Sequence, residues 1–250
     1  MHNPNSYAFS RRRQNGTENN PYSQLLYERL ESLGADSIRY MQAQDTNGLD
    51  ALELYPEPYA PNTAANTTSW NMSGIEQYVV DFCAATAGGD CHDTILFVGP
   101  LPPWFYYQTE SMQQECQAED PAACTGPLVD PTGKAAGGYY SRIVSYFTNG
   151  GFTDELGTVH TGGHHFKFRF WEVLNEPDLY KHYQQPPSTI ATYTAIYDGI
   201  TSVLHTDHPA LQFAAMCWAH TTVADFAYFF NQSNHAVTAP WYVAKTMPTA

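Results

Sequence analysis

Phe168-Arg169-Phe170-Trp171-Glu172-Val173-Leu174-Asn175-Glu176-Pro177-Asp178 is the stretch on which the fold of this chain turns. Its first half is aromatic and apolar and reads as a buried strand. It stops abruptly at Asn-Glu-Pro, because Pro177 has no N–H with which to continue a ladder. In a parallel α/β architecture the carboxyl ends of the strands form the functional rim. On that reading Glu176 is presented at the rim, one residue from Asn175.

The flanking sequence supports a parallel sheet. Upstream, Tyr22 to Leu33 places Leu25, Leu26, Leu30 and Leu33 at helical spacing behind Asn20-Pro21 and ends at Gly34. Ser37 to Met41 follows as a short strand. Tyr55 to Ser73 reads as a long loop, Ile75 to Thr86 as an amphipathic helix, and Thr94 to Val98 as a buried strand stopped by Gly99-Pro100. After an irregular excursion from Leu101 to Gly133 come a helix (Tyr139 to Phe147), the strand Phe166 to Leu174, a helix from Ser188 to His205, a strand from Leu211 to Trp218, and a helix from Val223 to Phe230. Helix and strand alternate, which predicts a parallel sheet with crossover helices. The length of 250 residues does not choose between one domain and two, because a (β/α) barrel reaches about that size as a single domain.

Composition narrows the function classes. With 43% apolar side chains the chain can form a core. Eleven Lys and Arg against 25 Asp and Glu give a net charge of −14, which repels a phosphate backbone and argues against nucleic acid as a partner. No apolar run approaches the roughly 18 residues of a membrane span. Cys83 with Cys91 and Cys116 with Cys124 form two local pairs, each eight positions apart in loop-like sequence, and read as two small disulfides; free thiols are the alternative. Cys217 sits in an apolar run and reads as a small hydrophobe. Sequons at Asn15, Asn66, Asn71 and Asn231 agree with secretion, so an extracellular location is expected. Met1 to Ser6 has no apolar core of a signal peptide, and the expectation is that the sequence is incomplete at its start.

The chemistry lies at Asn175-Glu176. A carboxyl in an aromatic-lined cleft can hold a raised pKa and give a proton to a leaving oxygen, and an adjacent Asn can bind a sugar hydroxyl. Trp171-Glu172-Val173-Leu174-Asn175-Glu176-Pro177-Asp178 resembles the strand-4 signature of the clan A glycoside hydrolases, retaining (β/α)8 TIM barrel enzymes, and is most similar to glycoside hydrolase family 39. Ser37-Ile38-Arg39-Tyr40 looks like that family's strand 2, and Pro100-Leu101-Pro102-Pro103-Trp104 looks like its strand-3 exit. The resemblance covers roughly residues 20 to 220. It implies Glu176 as acid/base, Asn175 as the contact to the 2-hydroxyl, and Arg39 and Trp104 as cleft residues; Trp218, at the exit of the strand from Leu211, is expected from its position as a further substrate contact. The resemblance implies a carbohydrate substrate and no cofactor.

Plainer readings stand beside these. Glu176 is also compatible with a solvated turn, and Glu172 with Arg39 reads better as an interior ion pair than as catalytic. Trp104, Phe105, Tyr106 and Tyr107 suit a loop's own minicore as well as a sugar platform, and Trp218 and His220 either line a cleft or pack. Thr161-Gly162-Gly163 between His160 and His164-His165 suggests a mobile connection, and no metal site is expected there.

The resemblance is incomplete. A retaining hydrolase needs a second carboxylate roughly 5 to 5.5 Å from the first, which the family carries on strand 7. Counting Ser37 as strand 2, the strand from Leu211 is the fifth, and only 32 residues follow Trp218. No Asp or Glu occurs after Asp225. The expectation is an α/β, incomplete TIM barrel with strands 1 to 5 or 6 of the eight: a polar segment at 1–20, the partial barrel at 21–235 and an atypical tail at 236–250. Tyr7-Ala8-Phe9 is the one candidate for strand 1. Such a chain is expected to be inactive on its own, and the alternative function is a non-catalytic carbohydrate-binding pseudoenzyme.

Overall fold

The computed structural model describes residues 29–30, 32, 38–41, 70, 72–92, 94–97, 101, 105, 128–154, 157–179 and 190–237. The candidate strand 1, most of the Tyr22–Leu33 helix, Trp104, the Cys116 and Cys124 pair and the tail from 238 lie outside these residues.

The elements are β1 (Ile38–Met41), α1 (Ser73–Ala84), β2 (Thr94–Phe97), α2 (Lys134–Thr148), β3 (Gly151–Thr153), β4 (Val159–Thr161), β5 (Phe170–Glu172), α3 (Ile190–Asp207), β6 (Gln212–Ala214) and α4 (Val223–Phe229). Four strands form one parallel sheet in the order β1-β2-β5-β6. The expected parallel α/β character is therefore present, with neighbours in the sheet following chain order.

Side chains alternate between faces along each strand, and the register sorts them. Leu96 pairs with Trp171 and Trp171 with Phe213, and all three are buried. This face packs on the helices: the Trp171 ring lies 5.1 Å from that of Tyr140 in α2. The opposite face carries Arg39, Ile95, Phe170 and Gln212 in register, all half-buried, with Glu172 one step further along β5.

Helices α2 and α3 lie against each other along a seam of glycines. A Cβ on Gly199 would fall 1.7 Å from the Thr132 carbonyl oxygen, and one on Gly137 3.0 Å from that of Ile200. Only hydrogen fits at Gly199, and a Cβ at Gly137 would require the facing backbone to give by a few tenths of an ångström. Asp130 secures the start of α2, accepting from the Thr132 N–H at 2.9 Å and the Ala135 N–H at 2.8 Å. The sequence reading begins this helix at Tyr139, five residues after its start at Lys134. Packing of Gly137 against α3 offsets the low helix propensity of Gly137-Gly138.

Two local features complete the frame. The Cys83–Cys91 disulfide is present, tying the end of α1 to the approach to β2 with both cysteines fully buried. Between α2 and β5 the chain inserts an antiparallel hairpin, with Phe152 opposite His160, which breaks the expected alternation of helix and strand. The Thr161-Gly162-Gly163 segment, expected as a mobile connection, forms the exit of this hairpin, where the Gly162 and Gly163 N–H groups both donate to the Gly150 carbonyl. His160 bonds Asp154 at 2.9 Å and stacks on Phe152, and His164 reaches Glu76 of α1 at 2.8 Å.

The glycine seam gives a direct test. Gly199→Ala is expected to lower stability by about 3 kcal/mol by overpacking against backbone. Gly138→Ala, whose new Cβ would meet only the Arg142 side chain at 3.9 Å, is expected to raise stability by about 0.5–1 kcal/mol through helix propensity. Urea unfolding of both variants checks the pair, and equal effects would refute the seam.

Candidate functional site

The site is built where β1, β5 and β6 end. Arg39 leaves β1 on the half-buried face and reaches across β2 to Glu172 at the last position of β5. Its Nε donates to Glu172 Oε2 at 2.5 Å, and its Nη2 donates to Glu172 Oε1, a bidentate pair. Glu172 is 1% exposed and Arg39 about a quarter exposed. Burial by itself would lower the Arg39 pKa, but the hydrogen bond and charge of Glu172, aided by Cys217 and Glu176, outweigh it and hold the guanidinium above its ordinary value. The guanidinium remains charged at neutral pH.

Arg39 does a second thing. Its Nη2 also donates to Asn175 Oδ1 at 2.5 Å. A guanidinium can only donate, so the Asn175 oxygen is fixed toward Arg39 and its NH2 is turned the other way. That NH2 lies 3.5 Å from Glu176 Oε2. Glu176 itself is exposed at the rim.

The backbone here is held in an uncommon shape. Leu174 (φ 60°), Glu176 (φ 45°) and Met216 (φ 58°) all adopt the left-handed region without being glycine. Each costs about 1–3 kcal/mol and persists only when the surroundings determine it. They are determined here: the Glu176 N–H donates to the Cys217 carbonyl at 2.6 Å. Asp178 accepts the Ala219 and His220 N–H groups at 2.9 and 2.7 Å. These bonds tie the exit of β5 to the loop that leads from β6 into α4.

The remaining residues singled out from sequence fall as follows. Trp218 is half-buried with its ring edge-on to Tyr193 at 5.5 Å, so it packs on α3. His220 is exposed. Of the aromatic quartet, Phe105 is a core residue set edge-on against Tyr139 at 5.4 Å; Trp104, Tyr106 and Tyr107 lie outside the described residues. Among the described residues no three His, Cys, Asp or Glu side chains converge as a metal site, and no helix is long and apolar enough to cross a membrane.

Sequence reasoning passed over Cys217 and Asp178. Cys217 read as an inert hydrophobe, yet its thiol sits against Glu172. Burial, then the Glu172 carboxylate, push it up to about 12, against the opposing charge of Arg39. Asp178 lies inside the decisive stretch and its acceptor role has no sequence signal, since its partners are more than 40 residues away.

Comparison with protein-family models, curated proteins and solved structures finds no match for this chain.

Two outcomes follow from this geometry. Arg39→Met leaves the buried Glu172 unpaired and is expected to cost about 3–5 kcal/mol, most of it recovered in the double variant Arg39→Met/Glu172→Leu; urea unfolding at pH 7 measures both, and additive losses would contradict the pairing. At pH 8 a thiol titrating near 12 is ionised to about one part in 10⁴. The Cys217 peptide is therefore expected to take up iodoacetamide about 10³-fold more slowly in the native protein than in urea, as read by mass spectrometry.

Proposed function

We propose that this chain carries the acid/base side of a retaining glycoside hydrolase of the clan A, family 39-like kind, on a (β/α) barrel whose strands it contains in part. The observation that carries the reading is the placement of Asn175 and Glu176 immediately beyond β5 of a parallel sheet, with Asn175 oriented by Arg39 from β1. The barrel is supported by strands that neighbour one another in chain order without reversal, as closure into a barrel requires and a doubly wound sheet does not.

In this reading the Asn175 NH2, directed away from Arg39, binds the hydroxyl next to the reacting carbon. Glu176 gives its proton to the glycosidic oxygen as the C–O bond breaks, and later takes a proton from the water that attacks the anomeric carbon. The second step presupposes a covalent intermediate on another carboxylate. Glu172 is engaged by Arg39, and no Asp or Glu follows Asp225 in the 250 residues. The 250-residue chain alone is therefore expected to turn over no glycoside. The buried disulfide and the four sequons support an extracellular setting.

The engagement of Glu172 by Arg39 also suits a second reading, a sugar-binding protein without catalysis. Sugar binding that survives Glu176→Gln but is lost on Trp104→Ala would select it.

The test uses the product of the whole reading frame, defined by sequencing the transcript across Met1 and Ala250. It is expected to hydrolyse aryl β-glycosides with retention, and Glu176→Ala is expected to lower kcat/KM about 10²–10⁴-fold for poor leaving groups and far less for activated ones. A rate unchanged by Glu176→Ala would remove that residue from the chemistry.

A further inference from the structure

The exits of β5 and β6 are held by a group that belongs to neither strand. In a parallel ladder the bonds alternate, so that Val173, whose N–H donates to Ala214 O at 3.1 Å, should receive the Met216 N–H at its own carbonyl. The hydroxyl of Tyr193 stands in that rung instead. It accepts the Met216 N–H at 3.0 Å and donates to the Val173 carbonyl at 3.3 Å. The bonding resumes only at Glu176, whose N–H reaches the Cys217 carbonyl.

We propose that Tyr193 is a positioning residue, whose hydroxyl splits the last rung between β5 and β6 and thereby sets the turn that carries Asn175 and Glu176. The inserted oxygen spreads the two exits by the width of one hydroxyl. The residues next to the split, Leu174 and Met216, are two of the three non-glycine residues forced to positive φ on this rim, and Glu176 is the third. A direct Val173–Met216 rung would draw the strands together and carry Asn175 away from Arg39. Tyr193 is built for the task. Its ring is 4% exposed and wedged between Trp218, Tyr197 and Phe229. Burial also holds its phenol well above the ordinary tyrosine range, so the hydroxyl keeps its proton and remains able to donate.

The geometric part of this proposal stands by itself, while its catalytic consequence rests on reading Glu176 as the acid/base. NMR on the 250-residue chain tests the geometry. A slowly exchanging Tyr193 hydroxyl proton close to the Met216 N–H is expected in the unaltered chain, and its absence overturns the bridge without any variant. In Tyr193→Phe the left-handed Cα shifts and couplings of Leu174 and Met216 are expected to disappear. In Phe229→Leu, which removes a ring packed on Tyr193 and lowers Tm, they are expected to persist. Left-handed signatures that survive Tyr193→Phe, or vanish equally in Phe229→Leu, refute the positioning role.

In the product of the whole reading frame, Tyr193→Phe is expected to lower kcat about 10- to 100-fold for poor leaving groups, with KM within about twofold. If Glu176→Ala is harmless, the hydrolase reading fails and the bridge is judged by NMR. If Glu176→Ala is disabling and Tyr193→Phe is not, the positioning role fails by itself.

Discussion

The bidentate pair between Arg39 and Glu172 is the constraint on which the rim depends. It spans from β1 to β5 across the intervening β2, and so bridges three strands of the parallel sheet. Removing one partner of a buried pair costs several kcal/mol, so the pair favours the observed arrangement of these strands. The same guanidinium also dictates which way the Asn175 amide points. One side chain thus couples the arrangement of the sheet to the arrangement of the candidate site.

Much of the frame was legible in the sequence because it is written in local periodicity. Thr94 to Val98 and Phe168 to Leu174 are apolar runs of strand length, and each contains an observed parallel strand. The Asn-Glu-Pro stop marks the end of β5 to within a few residues. The hairpin between α2 and β5 was not legible. Its strands are three residues each and flanked by glycines, so at sequence level Gly150-Gly151 and Gly162-Gly163 read as breakers. What makes them strands is tertiary: Trp70 and Tyr146 supply rings against Phe152, and His164 finds Glu76.

The candidate site divides along the same line. Asn175 and Glu176 announce themselves by residue type and by position just beyond a strand, and Arg39, the second residue of β1, by the resemblance of Ser37 to Tyr40 to a known strand motif. Tyr193 does not, since it is an apolar-looking member of a helical pattern whose hydroxyl acts 20 and 23 positions away in sequence. Cys217 gave a misleading signal, because Phe213 to Cys217 reads as one apolar run. The chain turns at Met216, with its positive φ, and Cys217 is left beside Glu172 instead of in the core.

The glycine seam between α2 and α3 has a mechanical meaning. With backbone in contact with backbone at Gly137 and Gly199, the two helices interlock like teeth and cannot slip by a turn, which would drive a side chain into the place of a hydrogen. Tyr193 lies six residues before Gly199 on the same helix, about 9 Å along its axis at 1.5 Å per residue. The height of its hydroxyl above the sheet is therefore gauged from the interlock. The seam works as a fixed stop, and the spacing of the rim is machined from it.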